Sequence, residues 1–532
     1  MDKGREAMGR LLFADKGNEA ASRKLRRQAA AGKIGQLAPG VFISPEGESV
    51  ERITQREWHK LVGYLFPGGV VTDRTGMESM PHKDDLGVAH VFVSAPKSNQ
   101  VVKLPGLIIN QREGAGPIQN EDVPFMDTVI AGPTRRILDN LVVSRSRSGP
   151  SRTVGPEEVE LHLEKLCSAQ GESVLNELRD NARAISALAL REKEAAKLDQ
   201  MVGTLLGSRK SKLMTAPGIA RASGRPIDTE CLSRLQNLYG YLLLNPTPEV
   251  IDPNISRESK ANACFVEAYF SNYIEGTRFL IDEAKEIVFD GRIPQERPED
   301  GHDVLATYLK LMEPPRPHLD KLTPEQFLLT LQLDHNDILR QRPTLNPGQF
   351  KSKGNAAGNT VFVSPEKVQG TLQEGFTLLR TSSDPMSRAV MAHFLVSDVH
   401  PFNDGNGRLS RITMSRELTS NSLSHAVIPT VFRNDYLDAL RAMTRRNDPE
   451  TLVRSLSHCQ KISAACSSDD LQETVALWAS TYAFLEEGRH ASLQYPANPN
   501  DVELKNGIPA PRRYWEVEGN EGGGIPEIFG SR

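Results

Sequence analysis

Cysteine is scarce in this 532-residue chain: Cys167, Cys231, Cys264, Cys459 and Cys466 are scattered, with no CxxC pair and no cluster of histidines beside them. That pattern argues against a disulfide framework or a structural zinc site and fits a reducing compartment. Long apolar runs are missing as well. Met1 to Arg10 offers no stretch of the signal-peptide kind, and Tyr241 to Leu244 is far too short to cross a bilayer, so a cytoplasmic protein with no membrane partner is expected. Neither sign of charge dominates, since 64 Lys and Arg stand against 68 Asp and Glu, a net of -4. Nucleic acid could therefore be held only by a local patch. What remains is an ordinary globular composition, 38% hydrophobic and 25% charged, long enough for about three domains.

Positive charge is concentrated at the start, where residues 1 to 33 hold nine Lys or Arg against four Asp or Glu, a net of +5. Ser22 to Ala31 reads as a short helix stopped by Gly32, and Lys33 to Ser44 as a hairpin turning at Pro39-Gly40. Helix and hairpin together predict a winged helix-turn-helix over residues 1–50. Residues 51–207 read as a mixed region, with β-rich runs such as His90 to Val93 and Gly106 to Ile109, and with helices from 156 to 207. A Gly/Ser-rich basic stretch, 208–227, is expected to be a linker. Residues 228–465 read as a helical domain and 466–494 as a C-terminal helix. The tail 495–532, with Gly522 to Gly524, is expected to be disordered.

The segment from His400 to Arg411 describes a phosphate site. Pro385 to Val399 has apolar residues at helical spacing, and Pro401 ends that helix by restricting His400. Gly405 and Gly407 let backbone N–H groups turn toward an anion at the start of a new helix. Arg408 and Arg411, three apart, lie on one helix face as two guanidinium forks. Asp404 supplies a hard oxygen for Mg²⁺, and His400 is the group beside this cradle that can take a proton near neutral pH.

The same segment matches HxFxDGNGRxxR at every specified position and so resembles the signature of the Fic family, the likeness extending more loosely over residues 255 to 445. The resemblance implies a mainly α fold: an all-helical Fic domain with a small β-hairpin flap, here preceded by an α+β N-terminal region that contains the winged helix. It implies that His400 deprotonates a Tyr, Thr or Ser hydroxyl of a target protein, or of the chain itself, for attack on the α-phosphate of ATP. Gly405, Asn406 and Gly407 would then contact phosphates, Arg408 and Arg411 would hold the β/γ end, Asp404 would hold Mg²⁺, and Phe402 would be a buried anchor. His393, one turn upstream, reads as packing. Gly407 stands where a phosphate-transferring branch of the family carries lysine, which favours nucleotidyl transfer; the motif leaves open another donor, such as a choline diphosphonucleotide.

Ser271 to Gly276 resembles the [S/T]xxxE[G/N] inhibitory helix of one class of Fic proteins. Ser271 and Glu275 share a helix face, and a Glu275 carboxylate paired with Arg411 would occupy the fork meant for the γ-phosphate. Pro347 to Lys351 and Asn359 to Ser364 read as two strands of a hairpin. By resemblance this is a flap whose edge, Thr360, Val361, Phe362 and Val363, docks a target segment by β-addition. Tyr436 lies where the family places adenine contacts.

Pro67 to Val71 and Pro133 to Asp139, with the amino-terminal helix and hairpin, resemble the antitoxin and regulator family of abortive-infection systems. That implies DNA contacts from Arg23, Lys24, Arg26 and Arg27. Two alternatives to AMP transfer follow: a DNA-binding regulator with an auxiliary Fic domain, and removal of AMP by water that Glu275 positions.

Overall fold

A computed structural model describes residues 9–520 except Lys16, Ser98, Arg147, Ser148, Pro315 and 487–490. The chain forms two units, Met1–Gly224 and Arg225–Arg532.

In the first unit, Val41–Ser44 is the buried middle strand of a three-stranded antiparallel sheet, flanked by Arg10–Phe13 and Gly35–Ala38. Gly40 makes the hairpin turn at φ +77, and a Cβ there would stand 2.3 Å from the Tyr64 hydroxyl, so only glycine fits. The helix Glu19–Ala30 precedes the hairpin, capped by the Asn18 side chain, which accepts the Ala21 N–H. What precedes that helix is a strand. Among the described residues no second helix stands ahead of the hairpin, and the next helices, Val50–Arg56 and Trp58–Leu65, follow it. The helix-turn-helix pair expected over 1–50 is thus not found there, because Leu11, Leu12 and Phe13 pair with Ile43, Phe42 and Val41 as sheet.

A seven-stranded mixed sheet follows. Its centre is the parallel pair Ala89–Ala95 and Leu107–Glu113, the first buried throughout and the second alternating in and out. Trp58, Leu61, Val91, Val93, Leu107 and Ile109 close its core. The helices Pro156–Gln170, Glu172–Ala189 and Glu192–Leu205 pack together next. The stretch read as a linker instead carries the helix Ala216–Ala222, held by the buried Glu160 carboxylate, which accepts the N–H of Met214 and of Thr215 and the Thr215 hydroxyl.

The second unit is helical around one central pair, Pro385–Val399 and Asn406–Ser420, both buried on nearly every side. Thr229–Leu244, Pro324–Ile338, Val368–Leu379 and Pro449–Ala465 pack around this pair, and Arg257–Ile274 and Pro298–Leu311 close the side on which the motif arginines emerge. Asp384 caps the first helix of the pair by accepting the Ser387 N–H. Beyond the helix Leu471–Ser480, the tail expected to be disordered forms a hairpin, Val502–Lys505 with Ile508–Pro511, and a helix, Arg512–Asn520. Ala510 is buried and Arg513 donates to the Tyr482 hydroxyl, contacts that hold the tail in place despite its polar composition. Gly522 to Gly524 lie outside the described residues.

Candidate active site

His400 is the residue on which the helix Pro385–Val399 stops, in the left-handed conformation at φ +51. Its N–H donates to the Val396 carbonyl, and its Nδ1 donates to the Ser397 carbonyl at 3.3 Å, which leaves the Nε2 lone pair free. Burial, supported by the Lys351 ammonium, lowers its pKa to about 4, so the imidazole is neutral at neutral pH. The Phe362 ring lies flat on it, 3.8 Å between centroids and 5° from parallel.

The loop after His400 is held by its own side chains. Asn406 accepts the Phe402 N–H at 2.9 Å and donates to the Phe402 carbonyl at 2.9 Å, so both ends of its amide are spent within the loop. Phe402 is fully buried and stacks on His335, 3.8 Å between centroids. His335 accepts the Gly348 N–H on Nδ1 and donates from Nε2 to the Asp404 carbonyl at 3.0 Å. Burial lowers its pKa to about 4, matching this neutral, fully bonded ring. Gly405 takes φ +73 at the start of the next helix, and the exposed Asp404 accepts the Gly405 N–H on Oδ1. Among the described residues no three His, Cys, Asp or Glu gather to hold a metal. A single carboxylate suits Mg²⁺ that takes its other oxygens from phosphates and water, and Asp404 fits that role.

The two arginines part company. Arg408 turns to Asp303 on the helix Pro298–Leu311, Nη1 to Oδ2 at 2.5 Å, and lies away from the cavity. Arg411 faces the cavity, donating from Nη2 to Glu275 Oε1 at 2.6 Å and to the Ser271 carbonyl at 2.9 Å, and from Nε to the Ser271 hydroxyl at 2.9 Å. Glu275 caps the helix Arg257–Ile274, and Gly276 turns the chain away at φ +94. A carboxylate at that negative helix end is unfavourable unless paired. Burial by itself would raise its pKa, but Arg411 more than offsets this and Arg408 adds to it, so the group titrates below the ordinary carboxylate range. A Cβ on Gly407 would lie 2.2 Å from Glu275 Oε1, so position 407 must lack a side chain while that carboxylate is in place.

His400, Phe362, Glu275, Gly407, Arg411 and Tyr436 line one cavity of about 770 Å³, together with Arg441, Thr444 and Arg445. Tyr436 is a buried wall residue, its hydroxyl 3.2 Å from His393 Nε2. Burial, with Arg411 nearby, lowers the His393 pKa to about 3, which keeps it a neutral core group.

The flap differs from the sequence expectation. Its strands are Ala356–Ala357 and Thr360–Val361, turning through Gly358 at φ +57, and Pro347 to Lys351 is not a strand. Gly348 takes φ +75 and gives its N–H to His335, so that segment turns instead of extending. Of the four flap residues, Val361 is 81% exposed, Thr360 accepts two bonds from Arg445, Phe362 covers His400 and Val363 is buried. The sequence reading missed His335, Asp303, Lys351 and Asn355.

Arg23, Lys24, Arg26 and Arg27 are exposed on Glu19–Ala30, with Arg23 paired to Glu19 at 2.9 Å.

Residues 328–418 match the Fic/DOC family model. A protein adenylyltransferase of Caenorhabditis elegans is 25% identical over 181 residues, 33% of this chain and 36% of its own length. The protein adenylyltransferase Fic of Drosophila yakuba is 25% identical over 253 residues, 45% of this chain and 49% of its own length. The chain thus spans between about a third and a half of these relatives. Among solved structures, residues 134–508 of Fic-1 from C. elegans align at 19% identity and a TM-score of 0.35, covering 58% of this chain and 87% of that one. The segment that holds His335, His400, Gly407 and Arg411 in one buried helical frame is a Fic domain.

Proposed function

We propose that this Fic domain is a protein adenylyltransferase that moves AMP from ATP to a hydroxyl side chain of a protein, and that Glu275 holds it in check. The observation that carries the reading is His400 with an unbonded Nε2 on the wall of a cavity whose other wall is Arg411. In the proposed step Nε2 accepts the proton of a Tyr, Thr or Ser hydroxyl, and the oxygen attacks the α-phosphorus. The bond from that phosphorus to the bridging oxygen breaks, and pyrophosphate leaves. Mg²⁺ held by Asp404 would neutralise phosphate charge when bound. The backbone N–H groups at the start of Asn406–Ser420 and the Arg411 fork supply the anion site. While Glu275 holds Arg411, the γ-phosphate has no partner there. Support also comes from the relatives, which are named protein adenylyltransferases. The test is transfer of label from [α-³²P]ATP to protein by Glu275→Gly. Labelling that depends on His400 supports the reading, and no labelling of any protein or of the chain itself retires it.

A second reading concerns the first unit. Lys24, Arg26 and Arg27 stand exposed on a helix followed by a hairpin, with no acidic partner among the described residues. This arrangement favours contact with DNA phosphates, tested by a mobility shift at low salt with the full chain.

A further inference from the structure

Lys351 is 3% exposed, lies next to His400, and forms no ion pair among the described residues. A buried ammonium without a carboxylate is costly and needs other acceptors. Its acceptors are all in one place. Nζ donates to the Val399 carbonyl at 3.2 Å and to Asn355 Oδ1 at 2.6 Å, and the Lys351 N–H donates to the Pro401 carbonyl at 2.9 Å. Asn355, so held, turns its Nδ2 to the His400 carbonyl at 3.4 Å and to the Phe402 carbonyl at 3.0 Å. Four successive carbonyls, from Val399 to Phe402, are therefore bonded by these two residues. The segment they grip includes His400 at φ +51, a left-handed conformation that is uncommon for a residue with a side chain. The Asn355 carbonyl also accepts the Phe362 N–H at 3.2 Å, which ties the ring stacked on His400 to the same clamp.

We propose that Lys351 and Asn355 are positioning residues for the transfer reaction: they lock the His400 backbone in its left-handed turn and the Phe362 ring on the imidazole, so that Nε2 faces the cavity. This rests on the adenylyltransferase reading above. The clamp makes no contact with the Arg411 side of the cavity, so its loss should leave ATP binding alone and slow the chemical step. Besides Lys351, the charged groups that act on the imidazole are Glu275 across the cavity and Asp404 in the same loop.

The test uses the full chain in the Glu275→Gly background. Asn355→Asp keeps the size and the acceptor for Lys351 but removes the two donors, and Lys351→Met keeps most of the stem but removes the ammonium. Either should lower kcat by roughly 10- to 100-fold with KM for ATP within about twofold, as expected when a base is misplaced but binding is kept. Lys351→Arg should recover part of the loss. A second readout needs no activity: ¹⁵N spectra of the histidine rings should show one Nδ1–H tautomer for His400 in the parent and a mixture in Asn355→Asp. If Lys351→Met fails to fold, Asn355→Asp carries the test by itself. Unchanged kcat with an unchanged tautomer in a folded Asn355→Asp overturns the clamp. A parent that labels nothing while Asn355→Asp alters the tautomer overturns the activity and leaves the clamp standing.

Discussion

His400 carries its function through where its two nitrogens point. Nδ1 is committed to the Ser397 carbonyl and Nε2 is left unbonded, as the proposed role of base requires. Replacing it by Ala should leave ATP binding, followed by fluorescence of a labelled nucleotide, within a few-fold of the parent and lower transfer by about 10²- to 10⁴-fold. The acid limb of kcat should also be displaced. A base works only when unprotonated, and a pKa lowered to about 4 keeps His400 in that form far below the usual 6.5, so activity in the Glu275→Gly protein should persist at pH 5.5. A rate that halves near pH 6.5 would show that the ring is not buried in the working enzyme. The same burial has a cost to stability. His335, His393 and His400 titrate at about 4, 3 and 4 when folded and near 6.5 when unfolded, so the unfolded chain binds more protons across that interval. Their contribution is fully present above pH 6.5 and is lost as pH falls through about 4 for His335 and His400 and about 3 for His393. Chemical denaturation at pH 7 and at pH 5 measures it, and replacing His393 by Gln should flatten the difference.

At the scale of elements, the end of Arg257–Ile274 meets the face of Asn406–Ser420 through the Glu275–Arg411 ion pair and the two bonds that Arg411 gives to Ser271. Glu275→Gly should raise labelling by about 10-fold or more, Glu275→Gln by less, and Arg411→Ala should stay silent in both backgrounds because the phosphate loses the same partner. If Glu275→Gly labels no faster while His400 proves essential, that helix end is scaffold. Elsewhere, Glu160→Ala would leave the buried N–H of Met214 and of Thr215 and the Thr215 hydroxyl unbonded. Loss of about 2–4 kcal/mol from the unfolding of the first unit is expected, read from its denaturation midpoint.

On the readings proposed above, AMP transfer would belong to the second unit and DNA contact to the first. Changing Arg23, Lys24, Arg26 and Arg27 to Ala should abolish a low-salt DNA shift, if the wild type gives one, without touching AMP transfer. Persistence of the shift would place the contact elsewhere.

The sequence by itself determined what depends on neighbours along the chain. His400-Pro401 had to end a helix, Gly405 could open the next in a left-handed turn, and Ser271 and Glu275 had to share a face, because these follow from backbone sterics and the helical repeat. Tertiary structure decided which of two equivalent arginines faces the cavity, since Asp303, about a hundred positions upstream, claims Arg408 and leaves Arg411 to Glu275. It also decided that the amide of Asn406 is spent on Phe402, that the tail folds once Arg513 finds Tyr482, and that Lys351 and Asn355 grip the carbonyls around His400. Buried charges and carbonyls take partners by distance in space, and no local periodicity along the chain encodes that distance.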